Sequence, residues 1–242
     1  MKYFTSIVVV AALFVLVGQA GAAPVFSGDT FPWFGTPPND GGTYELHNGT
    51  YPTDLSSTLF SGVPEDGSAS RNEYTLTGLP GFSTPADTPF AVADLFYHNG
   101  RTIAVTTESS VPVNLDIYFS DPAGVDRTFS FSFDLILTRN TDDPVESADR
   151  LIPVDVFSTT TFIAGPEKYT LELLGFSNDG GTTMAAEFVL FEDADTTSTL
   201  YGRIVPPPPG KGPAGEEPSP LPEPTALGLI GMAVLALRKR RA

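Results

Sequence analysis

Apolar and polar residues alternate with a period of two through the middle of the chain. Three runs share this pattern, and their apolar members are Val113, Leu115, Ile117 and Phe119; Phe129, Phe131, Phe133, Leu135 and Leu137; and Tyr169, Leu171 and Leu173. Successive side chains of a β-strand point to opposite faces, so this spacing predicts half-buried antiparallel strands. The intervening polar residues, such as Thr170 and Glu172, are predicted to face solvent. A helix cannot place five residues at spacing two on one face.

Clusters of Gly, Pro, Asn and Asp separate these runs and predict turns. Asn99-Gly100, between 93–98 and 101–106, predicts a hairpin with a type I′ turn. Residues 120–124 and 178–181 are two further turn clusters. Many short strands joined in this way predict an all-β fold, an antiparallel β-sandwich, with jelly-roll connectivity as one option.

The N-terminus breaks this pattern with an uninterrupted apolar segment. Lys2 precedes an apolar core at 7–17, and small residues follow at Ala20 and Ala22. This order is typical of a secretory signal peptide, with a short signal helix, that signal peptidase removes. We predict a signal at 1–22 and a mature chain that starts at Ala23, because cleavage after Ala23 would leave Pro24 directly behind the cut bond.

The C-terminus carries a spacer and a second apolar segment. Residues 206–221 are rich in Pro and Gly, which predicts an extended linker. The tail at 222–242 consists of Pro222-Glu223-Pro224, an apolar run at 225–237, and four basic residues, Arg238, Lys239, Arg240 and Arg241. Basic residues next to an apolar segment stay on the cytoplasmic side of a membrane. A helix of thirteen residues spans about 20 Å, less than the roughly 30 Å of a bilayer core, so we expect transient membrane retention.

This tail resembles the PEP-CTERM sorting signal of Gram-negative bacteria that make exopolysaccharide. The resemblance implies recognition of Pro222, Glu223 and Pro224, and cleavage near them, by an exosortase-type membrane enzyme. Two alternatives remain open. Residues 221–225 also resemble a sortase signal, although Pro224 stands where that signal has Thr. The tail could also be a plain membrane anchor, although its apolar segment is short for a permanent span.

Residues 23–205, predicted as one domain, resemble the choice-of-anchor K type of bacterial surface domain. The matching segments are 31–37, 57–62, 96–100, 129–133, 140–144, 147–149, 170–176 and 200–204. The resemblance implies a surface location and this type of fold, and it implies no known activity.

Composition narrows the classes of function. Residues 24–205 carry 26 Asp and Glu against 7 Lys and Arg, a net charge of about −19. Such a surface repels nucleic acid and anionic lipid, so neither is expected as a partner of the domain. The chain contains no Cys, which excludes thiol catalysis and Cys-ligated metals. Roughly 180 residues are enough for a hydrophobic core without disulfides.

The candidate chemistry is sparse. His47 and His98 each precede an Asn-Gly pair, and we interpret both as surface residues that flank turns. The densest set of oxygen ligands is Asp142, Asp143, Glu146 and Asp149, within the loop 140–149. Calcium takes six to eight oxygen ligands, so this loop is a candidate calcium site; the alternative is an acidic loop whose Asp side chains cap turns. No other cofactor is predicted.

The function we favour from the sequence is that of a non-enzymatic protein of the cell envelope or extracellular matrix, associated with exopolysaccharide or biofilm. It would be held at the inner membrane during sorting and then reach the outer surface. One alternative is a carbohydrate-binding module, for which Trp33 could stack on sugar rings or could instead be a core residue. A second alternative is a glycan hydrolase that uses a pair of carboxylates.

Overall fold

The computed structural model describes residues 23–37, 44–67, 69–103, 107–139, 141, 143 and 145–208. Thirteen β-strands run through these residues, and no α-helix occurs among them. In chain order the strands are β1 (Val25–Phe34), β2 (Glu45–Asn48), β3 (Ser56–Ser61), β4 (Asn72–Gly78), β5 (Phe82–Pro85), β6 (Phe90–His98), β7 (Thr107–Asp121), β8 (Val125–Leu137), β9 (Asp149–Pro153), β10 (Phe162–Ala164), β11 (Glu167–Ser177), β12 (Phe188–Leu190) and β13 (Asp195–Val205). The helices predicted within 7–17 and 225–237 lie outside the described residues.

The strands form two antiparallel sheets. The order in the first sheet is β12-β9-β8-β7-β1-β5, and the order in the second sheet is β10-β11-β13-β6-β4-β3-β2. Neighbouring strands pair antiparallel in both sheets, and one cluster of buried residues from both sheets forms the core between them. The predicted all-β fold, with antiparallel sheets in a sandwich-like arrangement, is therefore confirmed.

The period of two determines which side chains enter this core. Every apolar position of the three predicted runs is buried. Aromatic rings join the sheets across the core: Phe26 of β1 packs edge-on against Phe162 and Tyr169, with ring centroids 5.6 and 5.1 Å apart. Phe133 of β8 meets Phe176 of β11 in the same way at 6.3 Å. Edge-to-face pairs add about 0.5–1.5 kcal/mol each beyond the burial of their area.

The predicted turns at 120–124 and 178–181 are confirmed. Within the cluster at 120–124, residues 122–124 join β7 to β8, and Gly124 takes the positive φ of +77° that the turn requires. Residues 178–181 follow β11, and Gly180 and Gly181 have φ values of +72° and +85°.

The hairpin predicted at Asn99-Gly100 is wrong. After β6 the chain crosses to the first sheet, and β6 pairs with β4 and β13 instead of with the next strand. Neither residue has the positive φ that a type I′ turn needs. Asn99 is only 1 % exposed, and its side-chain Nδ2 donates to the carbonyl of Leu190. The Asn-Gly pair therefore lies at the buried start of the connection that leads from the second sheet to the first.

The polar side of β11 also differs from the prediction. Thr170 and Glu172 are buried because residues 156–160 lie along this strand. The Thr170 hydroxyl lies 2.9 Å from the carbonyl of Ser158 and 2.7 Å from that of Thr160. Glu172 forms an ion pair with Arg203 of β13.

A buried polar network joins the two sheets at Asp149, the first residue of β9. Its carboxylate accepts hydrogen bonds from the Tyr97 hydroxyl (3.0 Å), from Asn72 Nδ2 (3.1 Å) and from the backbone nitrogen of Thr138 (2.7 Å). The Tyr74 hydroxyl in turn donates to that of Tyr97 at 3.0 Å. Asp149 is 3 % exposed, and burial raises its pKa because desolvation disfavours the charged form.

Glu192 lies within electrostatic range of this network. Burial first, and then the negative charges of Asp149 and Asp193, raise the pKa of Glu192 to about 7. Its Oε1 atom is buried and has no hydrogen-bond partner in the part of the chain that the structure describes. The native state therefore holds the Glu192 proton more tightly than the unfolded chain does.

Replacement of Gly78 by Ala should destabilise the fold. A Cβ at Gly78 would lie 2.1 Å from the carbonyl oxygen of Thr30, where the end of β4 meets β1. We expect Gly78→Ala to lower the free energy of unfolding by about 1–3 kcal/mol, the usual cost of overpacking. Gly67→Ala is the matched control, because a Cβ there meets nothing within 4 Å. Urea unfolding of the two variants measures the difference, and equal midpoints would contradict the close approach.

Replacement of Glu192 by Gln should change how stability depends on pH. Because its pKa is raised, the contribution of protonated Glu192 to the stability of the fold is fully present below about pH 4.5 and is lost as pH rises through about 7. Glu192→Gln should therefore leave the melting temperature unchanged at pH 4 and raise it at pH 8.

The control for this experiment is a variant at Asp179, whose pKa shifts in the opposite direction. Hydrogen bonds from the Thr183 backbone and the Ser177 hydroxyl lower the pKa of Asp179 from 3.8 to about 2, so its contribution to stability is present above about pH 3.8 and is lost as pH falls through about 2. Asp179→Asn should lower the melting temperature at both pH 4 and pH 8. A Glu192→Gln variant that melts below the wild type at pH 8 would refute the assignment.

Candidate functional site

The outer face of the second sheet carries rows of hydroxyl groups. Strand register places these side chains in two adjacent rows: Thr197, Phe96, Thr75 and Thr58, and then Thr199, Asp94, Thr77 and Ser56. We call these eight residues the hydroxyl face. The Thr199 hydroxyl donates to Asp94 at 2.7 Å, and the hydroxyls of Thr58 and Thr75 are 2.8 Å apart. Alternation puts them outside because Leu76 and Leu95, on the same strands, are buried.

A depression of about 550 Å³ opens on this face. Phe96, Asp94 and three of the threonines line it, and the turn after β11, at 177–180, forms a wall beside them. Phe96 is half-buried, and no described aromatic ring packs on it. The volume of the depression falls in the range of about 300–1,000 Å³ that is typical of small-ligand sites. An aromatic ring bordered by hydroxyls and one carboxylate suits a ligand that has both apolar C–H faces and many hydroxyl groups.

Ser70, His98 and Asp195 lie together beside the hydroxyl face. The Ser70 hydroxyl is 2.5 Å from His98 Nε2, and His98 Nδ1 pairs with Asp195 Oδ1. His98 and Asp195 face each other in the β6–β13 ladder, and His98 is two residues from Phe96 on the same face. The sequence predicted a surface histidine next to a turn. The His98 side chain is 25 % exposed, and both of its ring nitrogens are engaged.

The buried network fixes the backbone near Ser70. Asn72, whose Nδ2 binds Asp149, accepts a hydrogen bond at Oδ1 from the backbone nitrogen of Gly100 at 2.7 Å. Gly100 packs so closely against Ser70 that a Cβ there would lie 2.4 Å from the Ser70 carbonyl oxygen. The segment after His98 is thereby held against the segment that carries Ser70.

The structure separates the residues of the predicted calcium site. Asp149 lies in the buried network, whereas Asp143 and Glu146 are exposed. The Asp143 carboxylate accepts hydrogen bonds from the backbone nitrogens of Val145 (2.8 Å) and Glu146 (3.4 Å), as in a turn cap. Asp142 lies outside the described residues, and among those described no group of three or more acidic or His side chains is placed to hold a metal ion. The four-residue site stays a prediction.

Trp33 lies on the outer face of the first sheet. It is half-buried, and its indole Nε1 donates to Asp116 at 3.2 Å. On the same face Tyr51 stacks on Tyr118, with ring centroids 3.8 Å apart, and donates to Asp29 at 2.9 Å. Trp33 is therefore neither a core residue nor an isolated exposed ring. The two tyrosine rings cover each other, which leaves less aromatic surface for a ligand.

The other predicted functional residues lie outside the described part of the chain. These are Ala20 and Ala22 of the signal, Pro222, Glu223 and Pro224 of the sorting motif, and the basic residues 238–241. Ala23, the predicted first residue of the mature chain, is exposed just before β1. Within the described residues, no helix is long and apolar enough to cross a membrane.

Sequence reasoning missed Ser70, Phe96 and Asp195. A signal was present in part, because polar residues recur at spacing two in 73–77 and indicate a solvent-facing row, whereas 195–199 is polar at every position and does not show which side faces solvent. The pairing of these distant strands through β6 could not be inferred from the spacing. Comparison with known protein families found no model that matches the chain, and a search of curated proteins found no relative.

Proposed function

We propose that this protein is an exported component of the cell envelope or extracellular matrix that binds a neutral polysaccharide through the hydroxyl face. The observation that carries the proposal is the depression in which Phe96 lies among Asp94 and three threonines. Sugar hydroxyls can exchange hydrogen bonds with these side chains, while the ring of Phe96 takes the apolar face of a sugar. This combines the surface protein and the carbohydrate-binding module that the sequence suggested.

Charge indicates which polysaccharides fit. The excess of acidic residues over 24–205 repels acidic polymers at a distance. Among the eight residues of the hydroxyl face the one carboxylate is Asp94, which accepts a hydrogen bond from Thr199, and Glu73 beside the face accepts one from Thr75. A neutral exopolysaccharide therefore meets less repulsion there than an acidic one does.

Export and sorting complete the proposal. Signal peptidase removes residues 1–22, and an exosortase-type enzyme recognises Pro222, Glu223 and Pro224 while the apolar segment, as a short helix, holds the chain in the inner membrane. The linker at 206–221 then spaces the domain from its point of attachment at the outer surface of a Gram-negative cell. The domain itself is a sandwich, for which jelly-roll connectivity remains the finer proposal.

The first test examines the chain ends. Mass spectrometry of the protein purified from its native host should show an N-terminus at Ala23 and a C-terminus near Pro222–Pro224. Replacement of Glu223 by Ala should leave the N-terminus unchanged and block C-terminal processing. A wild-type protein that still ends at Ala242 would refute the sorting proposal.

The second test examines binding. We expect the purified full chain to bind neutral exopolysaccharide, measured by calorimetry. Phe96→Ala and Thr199→Val should each weaken binding about tenfold, which corresponds to about 1.4 kcal/mol. Thr128→Val is the matched control, because Thr128 donates to Asp116 on the first sheet at 2.6 Å, much as Thr199 donates to Asp94.

The location of the effect decides between the two faces. Loss of binding in Trp33→Phe, with Phe96→Ala unaffected, would move the site to the first sheet and contradict the hydroxyl face. Equal affinities for all variants would contradict specific binding at either face.

A further inference from the structure

We propose that Ser70, His98 and Asp195 form a nucleophile–base–carboxylate triad that hydrolyses ester substituents on the glycan held at the hydroxyl face. The glycan as substrate rests on the proposed function above. The chemistry of the triad does not, because a small activated ester tests it without any glycan.

The hydrogen bonds match the roles that such a triad needs. His98 Nδ1 pairs with Asp195 Oδ1, which keeps the ring proton on Nδ1 and leaves Nε2 as the acceptor. Nε2 lies 2.5 Å from the Ser70 hydroxyl, within reach of its proton. His47 offers a contrast on the same sheet face, since it pairs with Glu45 at 2.8 Å without a serine on the ring.

The fold positions all three side chains. His98 is the last residue of β6, Asp195 is the first residue of β13, and the two are direct partners in the ladder. The close contact between Gly100 and the Ser70 carbonyl fixes the third member. His98 and Asp195 lie on rigid strands, which keep a catalytic geometry better than loops do, whereas Ser70 lies in the segment just before β4.

Position along the sheet brings substrate and triad together. His98 and Phe96 are two residues apart on one face, a separation of about 7 Å at the usual rise of a strand. Ser70 is exposed, so a carbonyl group can reach its hydroxyl. An O-acyl group on a sugar next to the one that stacks on Phe96 would lie over the triad.

The reaction is ester hydrolysis in two steps. Ser70 Oγ attacks the ester carbonyl carbon while its proton moves to His98 Nε2, and the C–O bond to the sugar breaks as that proton passes to the leaving sugar oxygen. Water then attacks the acyl-serine, giving a proton to His98, which returns it to Ser70 as the carboxylic acid departs. Ester plus water thus becomes alcohol plus acid.

The exposure of Asp195 limits the chemistry to esters. Its side chain is 64 % exposed, so water screens its charge and weakens its support of a protonated His98. Esters need less activation than amides, and a glycosidic bond has no carbonyl carbon for Ser70 to attack. Asp195 is therefore a positioning residue, and Ser70 and His98 are the catalytic residues.

The test uses the purified full chain with 4-nitrophenyl acetate and a serine-directed fluorophosphonate probe. Peptide mass spectrometry should find the probe on Ser70, and Ser70→Ala should abolish both labelling and turnover. His98→Gln should lower kcat about 100-fold. Asp195→Asn should lower kcat about tenfold with KM unchanged, and Asp195→Glu should restore part of the loss.

Matched controls make the outcome decisive. Ser83→Ala removes another exposed serine, one whose partner is the Ser27 hydroxyl, and His47→Gln removes the histidine without a serine. Neither should change turnover, and thermal melting should show that every variant is folded. Ester hydrolysis that survives Ser70→Ala, or probe label absent from Ser70, overturns the triad. Phe96→Ala should weaken glycan binding and leave hydrolysis of the small ester intact, so failure of the glycan site and failure of the triad are distinguishable.

Discussion

Asp149 places one buried carboxylate between two sheets whose shared core is largely apolar. Burial of apolar area is not directional, so the phenylalanine pairs alone leave the sheets several ways to settle against each other. A buried carboxylate allows far fewer arrangements of the two sheets, because each lost donor leaves a desolvated charge or dipole unpaired. The bonds from Tyr97 and Asn72 fix how the sheets align, and through Asn72 the same alignment reaches Gly100 and Ser70.

The two outer faces of the sandwich differ in shape. Polar side chains bond one another on both faces, as in the Trp33–Asp116 bond on the first sheet and the Thr199–Asp94 bond on the second. On the second sheet the threonines flank a half-buried ring within a depression, so a ligand can contact both kinds of group at once. Concavity, more than composition, sets the second face apart.

Local periodicity predicted the strands and their buried sides because both depend on neighbours in sequence. Turn chemistry predicted 120–124 and 178–181, where glycines take positive φ, but it failed at Asn99-Gly100, where tertiary bonds to Leu190 and Asn72 decide the conformation. Asp149 looked like an exposed ligand in an acidic loop, since nothing nearby in sequence indicates Tyr97 or Asn72. Ser70 and Asp195 are likewise joined only by strand pairing, which spacing alone cannot specify.

The position of β13 has a mechanical consequence. This strand, the last among the described residues, lies inside the second sheet between β11 and β6 and ends at Val205. Any tether attached further along pulls β13 lengthwise, so the hydrogen bonds on both of its edges share the load in shear instead of opening one after another. The same placement means that β6 and β11 each keep one unpaired edge until β13 has been synthesised. A chain halted before Asp195 would therefore expose those two edges.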